Sequence, residues 1–322
     1  MKRFSNILYV AEPAVEQDAA IARAASLARN NLARLTVVDV IPEVAARDSM
    51  LPGALRPADV QRALADERRQ ALESLLAPHA QGLTPGIEVL TGRQFLEVIR
   101  TVLGNGHDLV IKPAEDPDWL QRLFGSDDMH LLRKCPCPVW LLKPQEKSNY
   151  ESIVAAVDFS LERPDPEGEP LNQEIIELAG SLALSDFAAL HLAHAWEAPE
   201  AGFVGIWAKN SQRAELEFTE GVRAGHAAAM DGLTNRLRGH IGAEAYQYLK
   251  PRIHLPMGPP RQVIPALAGQ LQADLVVMGT VARSGIPGLI IGNTAESVLE
   301  QLRCSVLAVK PPGFVSPVSE RR

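Results

Sequence analysis

The chain repeats itself, and no other feature narrows its fold as much. His107-Asp108-Leu109-Val110-Ile111-Lys112 in the first half is answered by Ala273-Asp274-Leu275-Val276-Val277-Met278 in the second. Gly92 lies 16 residues before Asp108, and Gly258 lies 16 before Asp274. Gly125 precedes Lys143 by 18, and Gly292 precedes Lys310 by 18. Cys137 and Cys304 then stand at equivalent places, and Asn6-Ile7-Leu8-Tyr9-Val10-Ala11-Glu12 matches Ser152-Ile153-Val154-Ala155-Ala156-Val157-Asp158 at the two starts. Features in one order at near-constant spacing define two copies of one domain, 1–146 and 150–312. They are joined through the short polar stretch 144–149 and followed by a tail, 313–322, rich in Pro, Ser and charge. A length of 322 residues suits two domains of about 150 residues each.

Each copy alternates apolar runs with helical periods. The strand candidates are 6–12, 34–41, 86–91, 108–112 and 138–143, then 151–158, 187–195, 248–255, 274–279 and 305–310. Runs such as Leu35-Thr36-Val37-Val38-Asp39-Val40-Ile41 are nearly all apolar, as parallel strands covered on both faces must be. Val60, Leu64, Leu72, Leu75 and Leu76 share one face of a helix over 56–79, and Ala295, Val298, Leu299 and Leu302 share one face after Gly292. Strand–helix alternation implies right-handed crossovers and an α/β doubly wound parallel sheet in each copy. Ligands of such sheets bind beyond the carboxyl ends of the strands, so site residues are expected just after strands 1, 2 and 4.

Composition removes several function classes. With 46% hydrophobic and 22% charged residues the chain is not a disordered polymer. A net charge of −7 without a basic block argues against nucleic acid as a partner. No apolar run approaches the ~20 residues of a membrane helix, and the run near the N-terminus, residues 7–11, is too short for a signal peptide. Three cysteines, at 135, 137 and 304, fit a reducing compartment, so a cytoplasmic location is expected.

After the fourth strand of the second copy, residues 279–294 form a glycine-rich loop that runs into the amphipathic helix. Such a loop delivers backbone N–H groups at a helix start, where a partial positive charge suits an anion. It lacks the Gly-Lys-Ser/Thr of a phosphate-binding P-loop, so no lysine is supplied to terminal phosphates. The arrangement resembles the universal stress protein family, whose nucleotide-binding members carry Gly-x2-Gly-x9-Gly-Ser/Thr here. Gly279 and Gly292 match the first and third glycines; Ala282 replaces the second, and Asn293 replaces the Ser/Thr, with Thr294 one step later. Two stretches, residues 128–140 and 292–300, resemble one tandem-domain subgroup of that family. The resemblance implies two tandem five-stranded sheets of strand order 3-2-1-4-5, paired as an intramolecular pseudo-dimer through the last strands, with a homodimer as a further expectation. It also implies that Asp158 lies beside an adenosine, that Ala195 falls near the adenine pocket, and that the cofactor, if one binds, is ATP or AMP with Mg²⁺.

In the first copy Pro113 stands where Gly279 stands, Glu12 replaces Asp158, and Glu115, Asp116 and Asp118 put negative charge where phosphates would lie. That copy is expected to be structural or to bind something else. The resemblance implies a non-catalytic ligand-binding or interaction protein that supports resistance to stress such as DNA damage or oxidation; beside it stand a weak ATP-binding, slowly hydrolysing domain and an apolar small-molecule carrier. No catalytic or metal-binding set is read. Cys135 and Cys137 read as small buried residues, and the odd spacing of His191 and His194 puts them on opposite faces of a strand. Asp39 and His194 read as polar groups near the end of strand 2, and Asp127 and Asp128 as helix-start acids. The charged stretch 208–240, with Leu216, Phe218 and Val222 among its charges, reads as a solvated helix with one packed face.

Overall fold

The computed structural model describes residues 4–44, 56–114, 126–143, 146–147, 149–161, 168–207, 210–280 and 292–319. The chain divides into two compact units, one within residues 1–148 and one within 149–313, and the residues from 314 onward group with the first.

The first unit runs β1 (Asn6–Val10), α1 (Asp18–Asn31), β2 (Arg34–Ile41), α2 (Pro57–Leu76), β3 (Gly86–Thr91), α3 (Gln94–Asn105), β4 (Leu109–Pro113), α4 (Asp127–Lys134) and β5 (Val139–Leu142). All pairings are parallel, in the order β3-β2-β1-β4-β5. The second unit runs β6 (Ser152–Ala156), α5 (Gly168–Asp186), β7 (Ala189–Ala193), α6 (Ala201–Trp207), α7 (Ser211–Ile241), α8 (Ala243–Leu249), β8 (Arg252–His254), α9 (Pro260–Gln270), β9 (Leu275–Gly279), α10 (Asn293–Leu299) and β10 (Ser305–Val309). Its parallel order, β8-β7-β6-β9-β10, is the same 3-2-1-4-5 winding.

The repeated aspartate has one structural task in both units. Asp108, just before β4, accepts from the Ser5 and Asn6 N–H groups at 2.7 and 3.0 Å and from the Ser5 hydroxyl at 2.7 Å. Asp274, just before β9, accepts from the Glu151 and Ser152 N–H groups at 2.7 and 3.1 Å. Each carboxylate thus ties the start of strand 4 to the start of strand 1 and satisfies donors that the ladder leaves over.

Every residue of β1, β4, β5 and β10 is buried, as two-sided cover requires. Along α2 only Leu72 and Leu76 are buried; Val60, Leu64 and Leu75 lie half-buried on the same face. The first helix of each unit ends alike. Leu32 and Phe187 take φ of 53° and 57°, and the next residue donates back into the helix, Ala33 to Ala28 O and Ala188 to Ala183 O, both at 2.9 Å. This is a left-handed C-terminal cap in which glycine is usual, yet both side chains here are large, apolar and exposed, at 74% and 78%.

The charged segment folds as the long helix α7 with one packed side. Met230, Leu233 and Leu237, with the polar His226 and Thr234, are the buried residues of α7, while Phe218 and Val222 pack on Trp196, Ala198 and Ala201. Leu216 is not on the packed face; it is 71% exposed.

Candidate functional site

In the second unit the strands set three short segments side by side. Ala156 pairs with Ala193 on one flank and with Met278 on the other, so the residues that follow each strand emerge at one edge. After β6 the chain is held by Asn172 of α5. The Asp158 N–H donates to Asn172 Oδ1 at 3.1 Å, and Asn172 Nδ2 donates to the Asp158 carbonyl at 2.7 Å. This two-way amide clamp leaves the Asp158 residue exposed. Ala195, after β7, is buried between His194 and Trp196.

The ends of the glycine loop meet. Gly292 N–H donates to the Thr280 carbonyl at 3.2 Å, and Thr280 N–H donates to Val309 O at 3.3 Å. Two N–H groups that a phosphate could have used are therefore already taken. Asn293 and Thr294, exposed at the first helical positions of α10, have no carbonyl of their own helix to reach. Gly279 has a packing reason to be glycine: a β-carbon there would come within 2.8 Å of Leu171 Cδ2. Ala282, Arg283 and the remaining loop glycines lie outside the described residues. Sequence reasoning missed Lys310, whose buried Nζ donates to the buried hydroxyl of Thr280, just after β9, at 2.7 Å.

It also missed the aromatic cluster over β7. His194 and His226, both buried, face one another with ring nitrogens 3.0 Å apart. Phe159 stacks on His194 at 3.8 Å between centroids, and Trp196 lies 5.7 Å from the His226 ring. His191 meets His254 of β8 at 2.9 Å. The odd spacing kept His191 and His194 apart, as their opposite faces require, but each has found another histidine across the fold. Burial lowers the His226 and His254 pKa values from the usual 6.5. Burial, with the nearby charges of His254 and Arg252, brings His191 down to about 4.

The equivalent edge of the first unit is filled by the protein's own charges. Glu12 N–H donates to Gln17 Oε1 at 2.8 Å, so a side-chain amide again holds the residue after strand 1. Its carboxylate receives Lys112 Nζ at 3.1 Å, and the same ammonium lies 2.8 Å from Asp128 Oδ1. The Lys112 side chain is wholly inaccessible. Met278 and Ala295 hold the corresponding places in the second unit, and neither carries charge. Asp128 is thus more than a helix-start acid. Residues 115–125, with Glu115, Asp116 and Asp118, lie outside the described residues.

Elsewhere, Asp39 is buried 3.8 Å from the Arg68 guanidinium, and burial raises its pKa against the pull of that cation. Cys135 and Cys137 are buried with their sulfurs 3.6 Å apart, and the hydrogen bond between them together with burial pushes the Cys137 thiol up. Among the described residues no three His, Cys, Asp or Glu side chains gather as a metal set. None of the described helices is long and apolar enough to cross a membrane.

Comparison with known proteins gives a consistent picture. The universal stress protein family matches residues 3–143 and 149–310. The chain is 35% identical over 229 residues to universal stress protein E of Escherichia coli K12, covering 70% of this chain and 68% of that protein. It is 26% identical over 323 residues to universal stress protein E of Photorhabdus laumondii, covering 99% and 98%. Among solved structures, a Pseudomonas aeruginosa PAO1 protein described as functionally unknown aligns with TM-score 0.67 and 25% identity over 97% of this chain and 95% of that one. A universal stress protein of Archaeoglobus fulgidus shares the fold at TM-score 0.62 and 17% identity, covering 95% and 96%.

Proposed function

Because this chain belongs to the universal stress protein family, we propose that it is a cytoplasmic stress-response protein that acts by binding rather than catalysis, through its second unit. The observation that carries this reading is the contrast between the two strand edges. In the first unit Lys112, Glu12 and Asp128 pair with one another inside the fold. In the second, Met278 and Ala295 leave no such internal pairing, Asp158 is exposed, and Gly279 and Gly292, the first and third glycines of nucleotide-binding members, are retained.

The ligand class this favours is an adenine nucleotide, ATP or AMP, with Asp158 on the adenosine side and the N–H groups of Asn293 and Thr294 toward phosphate. Mg²⁺ would accompany the phosphates and offset their charge. Since Thr280 and Gly292 have spent their N–H groups on the protein, affinity is expected at tens of micromolar or weaker, about −6 kcal/mol. Turnover needs charge stabilisation at the terminal phosphate, and Lys310 is held inside the fold by Thr280, so binding without hydrolysis is the reading. Support for survival under DNA damage or oxidation is the role that family membership suggests. The apolar cluster of Trp196, Ala198, Ala201, Phe218 and Val222 keeps a second ligand class, an apolar small molecule, in view.

Titration calorimetry of the full chain with ATP and Mg²⁺ tests the reading. Gly292→Asp places a carboxylate at the helix N-cap, which the helix tolerates and a phosphate does not. Wild-type binding that Gly292→Asp abolishes, with the thermal midpoint retained, is expected. Equal heats from both proteins overturn the site. A lipid-like mass retained in native mass spectrometry replaces the nucleotide with the apolar ligand.

A further inference from the structure

The long helix α7 is fastened to the strand edge of the second unit through histidine. His194 Nδ1 lies 3.2 Å from the Val157 carbonyl. A carbonyl only accepts, so Nδ1 carries the proton and Nε2 of the neutral ring presents a lone pair. His226 Nδ1, 3.0 Å away, must therefore donate to it. The order of donors runs from α7 through His194 into the turn after β6. Phe159 covers the His194 ring on one side, and Trp196 lies beside His226. The pair survives one added proton. It does not survive two, because two N–H groups would then face each other at hydrogen-bond distance with like charge.

We propose that the His194–His226 contact is an acid-released latch, which frees the N-terminal part of α7 from the edge of the second unit as protons are taken up. The inference does not depend on nucleotide binding and would hold for an empty site.

The surrounding charges agree with a local release. On α7 itself Glu220 and Arg223, one to two turns before His226, pair with each other at 2.7 Å and are exposed. In the turn after β6, Asp158 is exposed beyond its amide clamp. From the sheet, His191 and His254 form their own pair, and Arg252 adds positive charge to it. From α5, Glu169 lies 3.5 Å from Arg236 and Glu177 lies 3.2 Å from His240 Nδ1. These contacts fasten the C-terminal end of α7 to α5 independently of the latch, so that end stays anchored while the middle loosens. Burial disfavours the cationic form of His226, so opening takes up protons, and its sign is fixed: the latch holds above the usual histidine value of 6.5 and weakens below it.

Hydrogen exchange of the full chain, read by mass spectrometry at pH 7.5 and 5.5 and corrected for the intrinsic pH effect, tests the latch. The expected result is a rise of about tenfold or more in the exchange of peptides from 214–230, with 236–241 unchanged. His226→Gln keeps a donor to His194 Nε2 without a titrating ring, and in that variant the rise should vanish. His194→Gln is the second variant, should His226→Gln fail to give a native circular-dichroism spectrum at pH 7.5. An equal rise in a folded glutamine variant, an unchanged wild-type helix, or a rise spread evenly along α7 overturns the proposal.

Discussion

Lys112 shows what a single side chain decides. An ammonium with no access to water needs countercharge, and Glu12 and Asp128 supply it at 3.1 and 2.8 Å. Lys112→Met, the residue the second unit carries at this place, leaves two carboxylates facing each other in the interior. It should cost about 3 kcal/mol in a urea titration, and Lys112→Met with Asp128→Ala should recover part of that loss. No loss in the single variant would show the cluster to be hydrated in solution. The cluster could not be read from the sequence. A lysine after Leu109-Val110-Ile111 looks like the solvated end of a strand, and Glu12 lies 100 residues away. The histidine pairs were hidden for the same reason, with partners 32 and 63 residues apart. Gly279 was visible but its reason was not, since Leu171 enters from another helix.

At the level of elements the sequence was more informative. All ten strand candidates became strands, because a run apolar on both faces has few other places to go. The β8 candidate, 248–255, shrank to Arg252–His254, because residues 243–249 continue as helix α8 up to the left-handed cap at Lys250. The caps after α1 and α5 carry a testable cost. A left-handed φ costs a non-glycine residue about 1 kcal/mol, and the exposed Leu32 and Phe187 side chains regain little of it by burial. Leu32→Gly and Phe187→Gly should each raise stability by about 0.5–1 kcal/mol in chemical denaturation, despite removing a large apolar group. A loss of stability in Phe187→Gly would mean that its edge contact with Tyr248, 6.2 Å between centroids, outweighs the backbone strain.

For the whole molecule, histidine sets the response to pH. Burial depresses His107 and His130 in the first unit and His191, His226 and His254 in the second. The unfolded chain then binds more protons than the folded one below about 6.5, so stability is complete above that value and falls as the pH drops toward 4. Buried Asp39, with its raised pKa, works in the opposite direction nearer the carboxylate range. Urea midpoints should therefore decline steadily from pH 7 to pH 5. A flat profile would show that these imidazoles take up protons without leaving the fold.

The aspartate clamps also set a timetable for synthesis. Ser5 waits for Asp108, 103 residues later, and Glu151 waits for Asp274, 123 residues later. While a ribosome is still making the intervening helices, β1 and β6 have no strand-4 neighbour and an incomplete set of backbone partners. Each unit therefore cannot close before about three-quarters of it has been translated, and nascent chains stalled short of Asp108 or Asp274 should be far more open to protease and chaperone than chains stalled just beyond β5 or β10.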